Sequence, residues 1–195
     1  MKQIQELVQS SISTKEAVLS DVVLLKNVQQ AADVISAAFR SDKKVLFCGN
    51  GGSAADAQHL AAEFSGRYYF DRDPLFSEAL HVNTSYVTVV ANDYSYDQIY
   101  SRLVKAKGRE DDVLVGLSTS GNSNNIVEAF KQGNANGMHV IAMTGRSGGR
   151  MKEHCDLLLN MPSEDTPRIQ ECHMLLGHII CQLVEEALFA KQEVA

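Results

Sequence analysis

Residues 43–52 read KKVLFCGNGG, a short apolar run that ends in a glycine-rich turn. A run of this length, bounded by turn residues, is typical of a strand that is buried on both faces. The same order of apolar run and polar exit recurs in DDVLVGLSTSGNS at 111–123, MHVIAMTGRSGG at 138–149 and CDLLLNMPSED at 155–165. Because helical patterns separate these runs, we predict an α/β fold whose parallel sheet is covered by helices on both faces.

Helical spacing of apolar residues fills most of the remaining chain. The first 40 residues contain neither glycine nor proline and predict two helices. Further helices are predicted over 53–68, over 84–107 with a break near Asn92, over 124–136, and from about Thr166 onward. Pro167 then takes a favourable first-turn position in the last helix. The segment ALHV at 79–82 is a candidate for one more short strand.

One domain over residues 1–195 accounts for this pattern, with a helical arm at 1–40 and an α/β core at 41–195 that ends in the long helix. The arm carries an apolar stripe that must be buried against something. Another subunit is an economical place for it, so we expect an oligomer.

Composition and charge exclude several classes of function. The chain has 45% hydrophobic residues and a formal net charge of -6, with no basic run. This distribution favours neither a nucleic-acid partner nor a membrane surface, so a small ligand is expected. No secretory signal is apparent and no run approaches the roughly 18 apolar residues of a membrane span, which predicts a cytoplasmic protein. Four scattered cysteines argue against a disulfide framework and predict mostly buried, reduced thiols.

Two groups of small and hydroxylated residues follow predicted strands, at the carboxyl edge where parallel α/β sheets bind ligands. The first, GNGGS at 49–53, offers backbone N–H groups at a helix N-terminus, which favours an anion. The second, STSGNS at 118–123, adds four hydroxyls. Glycine also serves tight turns and serine also caps helices, so each group alone has a purely structural explanation. Together they favour a sugar phosphate.

His59 and Glu63 lie four residues apart on a predicted helix, so their side chains project about 40° apart around its axis. That geometry suits two ligands of one metal, or an acid and base pair. A solvent-exposed contact between the two side chains is the more common case for such spacing.

Gln170 and His178 lie eight residues apart on the last, mostly apolar helix, where we expect them to be buried. They either satisfy hydrogen bonds in the core or join the first pair at a zinc site, since Zn²⁺ accepts nitrogen and oxygen ligands. Glu171 and His173 face other directions on this helix and are expected at the surface or at an interface.

Four segments together resemble one family: CGNGGSAADAQHLAAEFSGRY at 48–68, VVANDYSYDQIYSR at 89–102, DVLVGLSTSGNS at 112–123 and PSEDTPRIQECHMLLGHII at 162–180. They are similar, in this order, to the phosphoheptose isomerases of the sugar-isomerase (SIS) domain family. The resemblance covers essentially the whole chain. It implies a five-stranded, parallel, flavodoxin-like sheet and a homotetramer with active sites at subunit interfaces, where the N-terminal helices pack.

The resemblance also implies the reaction and its cofactor. The enzyme would isomerise D-sedoheptulose 7-phosphate to D-glycero-D-manno-heptose 7-phosphate, the first step towards the heptose of lipopolysaccharide core, with one zinc ion per subunit. By position, the zinc ligands would be His59, Glu63, Gln170 and His178. The substrate would meet Asn50, Gly51, Gly52, Ser53, Asn92, Asp93, Ser118, Thr119, Ser120 and Ser123, together with Glu63 and Gln170.

Glu63 resembles the general base proposed for the family and His178 its acid, in an enediol mechanism. Since both are also expected zinc ligands, the division of their roles stays open at this stage. The alternatives are a non-enzymatic relative that binds the replication initiator, an isomerase of another sugar phosphate such as arabinose 5-phosphate, and a sugar-phosphate-sensing regulator. The presence of Glu63 and His178 argues against the first, and the lack of additional domains argues against the other two.

Overall fold

The computed structural model describes residues 1–190. The α-helices in this part of the chain are α1 (Lys2–Ser20), α2 (Val22–Arg40), α3 (Gly52–Ser65), α4 (Thr84–Asp93), α5 (Ile99–Lys107), α6 (Asn124–Ala135) and α7 (Thr166–Phe189). The strands are β1 (Val45–Gly49), β2 (Ser77–Ala79), β3 (Val113–Ser118), β4 (His139–Thr144) and β5 (Leu157–Asn160). Short 3₁₀ helices lie at Tyr96–Gln98 and Met151–Glu153. The break predicted near Asn92 separates α4 from α5.

The strands form one parallel sheet in the order β2-β1-β3-β4-β5. This confirms the predicted α/β class and the five-stranded parallel sheet. The strand order reverses between β1 and β3, because β2 is added on one side of β1 and β3 on the other. Gly49 at the end of β1 is level with Leu117 in β3. The loops that follow these strands therefore leave the sheet side by side, at a switch point where such sheets bind ligands.

Side chains of the strands point alternately into two apolar cores, one on each face of the sheet. Phe47 and Val115 contribute to the core that lies under α2, α3 and α7. Their neighbours Leu46 and Leu114 contribute to the other core, under α5 and α6. Burial on both faces explains why these strands are continuous apolar runs rather than alternating patterns.

Two boundaries differ from the prediction. Helix α3 ends at Ser65, earlier than predicted, because backbone N–H groups just beyond it donate to the Glu185 side chain instead of to helix carbonyls. Strand β2 covers Ser77–Ala79, so only the first residue of the predicted ALHV strand belongs to it. The charged Glu78 lies at the centre of β2, so this strand lacks the continuous apolar run by which the other strands were predicted.

Helix α7 begins at Thr166 with Pro167 in its first turn, as predicted. One window of this helix has a hydropathy of 1.3, so by length and composition alone it resembles a membrane span, which the sequence analysis did not expect. In the fold, 44% of that window is buried, where α7 packs against α2 and α3. This packing explains the apolar composition, since core helices have the same character.

The four cysteines are free, as predicted, and Cys48, Cys172 and Cys181 are buried. Burial raises the pKa of the Cys155 thiol to about 11, and it raises the thiol pKa of Cys48 and Cys181 as well. Neutral thiols are poor nucleophiles and poor metal ligands. The role of the cysteines is therefore packing.

Candidate active site

The glycine-rich turn after β1 brings the backbone against α7. Gly52 begins α3, and a Cβ atom on it would lie 2.5 Å from Nε2 of Gln170. Gly51 has open space around it but a φ of 55°, a conformation that side chains disfavour. Gly52 is thus required because a side chain would collide with Gln170, and Gly51 is required because of its backbone conformation. The turn places the N-terminus of α3 directly beside the Gln170 amide.

The Asn50 side chain links this turn to the start of α6. It forms two reciprocal amide hydrogen bonds with Asn125, of 2.9 and 2.8 Å, and Asn125 is only 2% exposed. The Tyr96 hydroxyl donates to the same Asn50 oxygen over 3.1 Å, and the Tyr100 hydroxyl donates to the carbonyl of Gly49. These contacts fix the side chain that the sequence analysis assigned to substrate binding.

The hydroxyl-rich loop after β3 turns its side chains towards one another. Ser118 Oγ lies 3.0 Å from Ser123 Oγ and 3.5 Å from Ser120 Oγ. Ser123 occupies the N-cap position of α6, yet its side chain makes no capping hydrogen bond. A capping hydrogen bond therefore does not explain why a serine occupies this position. The hydroxyls cluster at the N-terminus of α6, where the helix dipole favours an anion. The half-buried Thr119 lies in the same loop.

His59 and Glu63 on α3 meet His178 on α7. His59 Nε2 lies 3.0 Å from Glu63 Oε1 and 3.1 Å from His178 Nε2. One ligand atom from each residue lies within 4.8 Å of the others, an arrangement that could hold a metal ion. Two imidazole nitrogens and a carboxylate oxygen are a donor set that suits Zn²⁺. Thus two distant segments of the chain bring three of the four predicted ligands together in one cluster that could hold a metal ion.

The glycine-rich turn at 49–53 and the hydroxyl-rich loop at 118–123, called the two cradles below, are joined through Asn50 and Asn125, and the cluster lies about two to three helical turns further along α3. His59 and Glu63 follow the glycine-rich turn on α3, and Gln170 is two turns before His178 on α7. Gln170 contacts the turn at Gly52, so α7 as well as α3 joins the turn to the cluster. Both Gln170 and His178 are half-buried, less covered than predicted, and are accessible to a ligand.

Tyr68 covers one side of the cluster, and the sequence analysis did not predict it. Its ring stacks on His178 with centroids 5.8 Å apart and planes inclined by 24°. Burial, with the neighbouring Tyr69 and other groups, raises the pKa of Tyr68 to about 12. The ring is therefore neutral at physiological pH and orients the imidazole by packing.

Asn92 and Asp93 lie at the end of α4 and are exposed. Asn92 Nδ2 donates to Asp93 Oδ1 over 2.9 Å. Within residues 1–190 neither side chain hydrogen-bonds to the two cradles, so their role in substrate binding stays a prediction.

His173 is buried rather than at the surface, which corrects the prediction. It is 0% exposed, and its Nε2 lies 3.2 Å from the carbonyl oxygen of Thr144. Burial lowers the pKa of His173 to about 4, so the ring is a neutral core residue. Glu171 is partly exposed, with 37% of its side chain accessible, and its carboxylate accepts from Ser11 over 2.6 Å, which joins α1 to α7 within the chain.

Comparison with known proteins gives a consistent result. The family described as the SIS domain matches residues 11–145. A phosphoheptose isomerase from Clostridium acetobutylicum is 49% identical over 97% of this chain and 96% of that protein. A phosphoheptose isomerase from Rhodospirillum rubrum is 55% identical over 83% of this chain and 86% of that protein.

Solved structures agree with the sequence relatives. The phosphoheptose isomerase of Neisseria gonorrhoeae has a TM-score of 0.89 and 43% identity, over 95% of this chain and 98% of that chain. A phosphoheptose isomerase from Francisella tularensis has a TM-score of 0.91 and 34% identity, over 95% of this chain and 97% of that chain. Similarity in sequence and in fold thus extends along nearly the full length of each chain.

Proposed function

The chain belongs to the SIS domain family, and from that membership we propose that it is an enzyme that isomerises D-sedoheptulose 7-phosphate to D-glycero-D-manno-heptose 7-phosphate. The observation that carries the proposal is the nearly full-length similarity to phosphoheptose isomerases. The cluster of His59, Glu63 and His178, which could hold a metal ion, and the two turns after β1 and β3, whose N–H and hydroxyl donors suit an anion, support the proposal.

The two cradles suit the two ends of the substrate. The hydroxyls of the loop after β3 and the N-terminus of α6 would hold the phosphate, because N–H and O–H donors and the helix dipole stabilise a dianion. Asn50 and the turn at Gly51 and Gly52 would then bind the hydroxyls near the carbonyl, close to the cluster. Asn92 and Asp93 are proposed as further contacts to the sugar.

The reaction moves one proton between neighbouring carbons. Removal of a proton from C1 of the ketose by the Glu63 carboxylate gives an enediolate, and return of the proton to C2 gives the aldose. During this exchange the oxygen on C1 loses a proton and the oxygen on C2 gains one. We assign that transfer between oxygens to His178, because an imidazole can both donate and accept a proton.

Zinc is the metal we propose for the cluster. His59, Glu63 and His178 supply nitrogen and oxygen donors, and Gln170 is the proposed fourth ligand through its amide oxygen. A bound metal supplies Lewis acidity, which polarises a carbonyl and stabilises negative charge on neighbouring oxygens. Glu63 has two carboxylate oxygens, so one can bind a metal while the other accepts a proton.

The assembly belongs to the same proposal: a homotetramer with active sites at subunit interfaces. Its support is the exposed apolar face of α1, where Ile4, Leu7 and Val8 are 62%, 58% and 54% exposed. Only Val18 of this helix is buried. We also propose that residues 1–195 form one domain, and that the enzyme is cytoplasmic, which suits its free thiols.

Turnover with the named substrate is the direct test. Zinc-loaded protein is incubated with sedoheptulose 7-phosphate, and the appearance of heptose 7-phosphate is followed by NMR. We expect the aldose to form, and arabinose 5-phosphate to be converted far more slowly. Folded, zinc-loaded protein that converts neither substrate would favour the non-enzymatic alternative.

A further inference from the structure

A buried carboxylate on α7 binds the segment that leaves α3. Glu185 is 1% exposed. Its Oε2 accepts from the backbone N–H groups of Tyr69 over 2.6 Å and Phe70 over 3.0 Å, and its Oε1 accepts from that of Tyr68 over 3.1 Å. Three consecutive N–H groups thus converge on one carboxylate. The backbone beyond α3 is fixed to α7 by these bonds.

Arg72 completes the connection from the other side. Its Nε donates to Glu185 Oε1 over 2.8 Å, and the two side chains are each 2% exposed. Its Nη2 donates to the carbonyl of Glu63 over 2.9 Å, and its Nη1 donates to that of Phe64 over 3.0 Å. The last carbonyls of a helix have no partner within the helix. Arg72 therefore caps the last turn of α3, which carries Glu63.

The two ends of this connection carry the two halves of the cluster. Helix α3 supplies His59 and Glu63, and α7 supplies His178, which lies seven residues before Glu185 and so on nearly the same face. Tyr68, whose N–H group binds Glu185, stacks on the His178 ring. Both the backbone of Glu63 and the ring of His178 are thus set by the same buried pair.

We propose that Arg72 and Glu185 are positioning residues of the active site: their buried ion pair holds Glu63 on α3 at its distance from His178 on α7. The inference rests on the proposed function, because it concerns the same site. Neither residue reaches the substrate, and both act through the backbone of α3 and the ring of Tyr68. Loss of the pair should then disturb metal binding and the chemical step more than substrate binding.

A buried ion pair also affects stability, so the test needs a matched control that makes no hydrogen bond to α3 or α7. Asp112 provides one: it is 1% exposed, binds Lys44 Nζ over 2.6 Å and accepts from the N–H groups of Lys44 and Arg109. It immediately precedes β3, at the amino edge of the sheet. It therefore resembles Glu185 in burial and bonding, but its hydrogen bonds are to Lys44, Arg109 and His139 rather than to α3 or α7.

The experiment compares Glu185→Gln with Asp112→Asn in the full-length protein. For each variant we measure the free energy of unfolding, kcat and KM, and zinc affinity by competition with a chromophoric chelator. We expect both variants to lose stability. Only Glu185→Gln should lose about tenfold in kcat and in zinc affinity, with KM within about twofold of wild type.

Arg72→Lys is the second variant, since it keeps the positive charge but loses the fork that reaches both Glu185 and the α3 carbonyls. It should show the same pattern, and it serves as the test if Glu185→Gln does not fold. Wild-type kcat and zinc affinity in the folded Glu185 or Arg72 variant would overturn the proposal, as would equal losses in Asp112→Asn. If wild type itself lacks turnover, the proposed function fails, while the zinc affinities still decide the positioning role.

Discussion

At the scale of single residues, the site is made by side chains that meet only in the folded chain. His59 and Glu63 were predictable as a pair, because helical spacing places them on one face. His178 comes from the last helix and lies 3.1 Å from His59, a contact that no local pattern encodes. The residue types left a shared zinc site open, and the family resemblance implied it. Tyr68 and Asn125 were missed, since their roles depend on what stands opposite them.

The contact between Gly52 and Gln170 leads to the first prediction. Gly52→Ala would place a methyl group 2.5 Å from the Gln170 amide, so the amide must move away from the turn. We expect kcat/KM to fall about tenfold, since displacements of this size disturb reacting geometry. The melting temperature should change little, because the displaced atoms are the flexible end of a side chain. Unchanged kcat/KM would show that the Gln170 position has no role in the reaction.

At the scale of elements, the helices and strands follow from periodicity and from their boundary residues. Four of the strands and the helix start at Thr166 were predictable, because apolar runs and Pro167 are local signals. The end of α3 and the position of β2 were not. Helix α3 stops where Glu185, more than 100 residues later, captures the next N–H groups, a tertiary contact that overrides helical pattern.

The contribution of the Glu185 carboxylate to the free energy of unfolding depends on pH. Burial alone would raise the pKa of Glu185, but the N–H donors of Tyr68, Tyr69 and Phe70 and the Arg72 guanidinium together hold it below the usual 4.5. A carboxyl whose pKa is lowered by folding stabilises the fold when it is ionised, so the stabilisation is complete above pH 4.5 and is lost as pH falls through the folded-state value.

We therefore expect wild type to exceed Glu185→Gln in free energy of unfolding by the largest margin above pH 4.5. The margin should narrow on acidification, as measured by urea unfolding at a series of pH values. A margin that is constant, or that grows as the pH falls, would show that the ionised carboxylate does not stabilise the fold.

At the scale of the whole molecule, the sheet and its two cores account for folding, and of the N-terminal arm α2 joins one core whereas α1 stays largely outside them. The cores lie between the sheet and its helices, and the cluster of His59, Glu63 and His178 lies outside them on α3 and α7. The apolar side of α1 is left exposed. The need to bury that stripe was predictable from the helical spacing of its apolar residues, but the surface that covers it in the proposed tetramer was not.

Disruption of the arm should therefore change the assembly. We expect wild type to have four times the 21.4 kDa mass of the chain by light scattering. The double variant Leu7→Lys, Val8→Lys should form smaller species with much lower turnover, because charged side chains cannot be buried in an apolar interface. Circular dichroism is the control for folding. A wild-type monomer with full activity would contradict the proposed tetramer.

Metal removal should separate function from folding. Since a chain of this size forms its core without a metal, chelation should abolish turnover while the far-ultraviolet circular dichroism spectrum is unchanged, and zinc should restore activity. Unfolding on chelation would instead identify the metal as structural.

If Glu63 moves the proton between the two carbons of the substrate, the rate of heptose 7-phosphate formation by Glu63→Gln beside wild type will show it. The substitution removes the base with little change in volume. We expect wild type to convert sedoheptulose 7-phosphate, and the folded variant to lose at least about 10³-fold in kcat. A folded Glu63→Gln enzyme with nearly wild-type kcat would show that Glu63 is not the group that moves this proton.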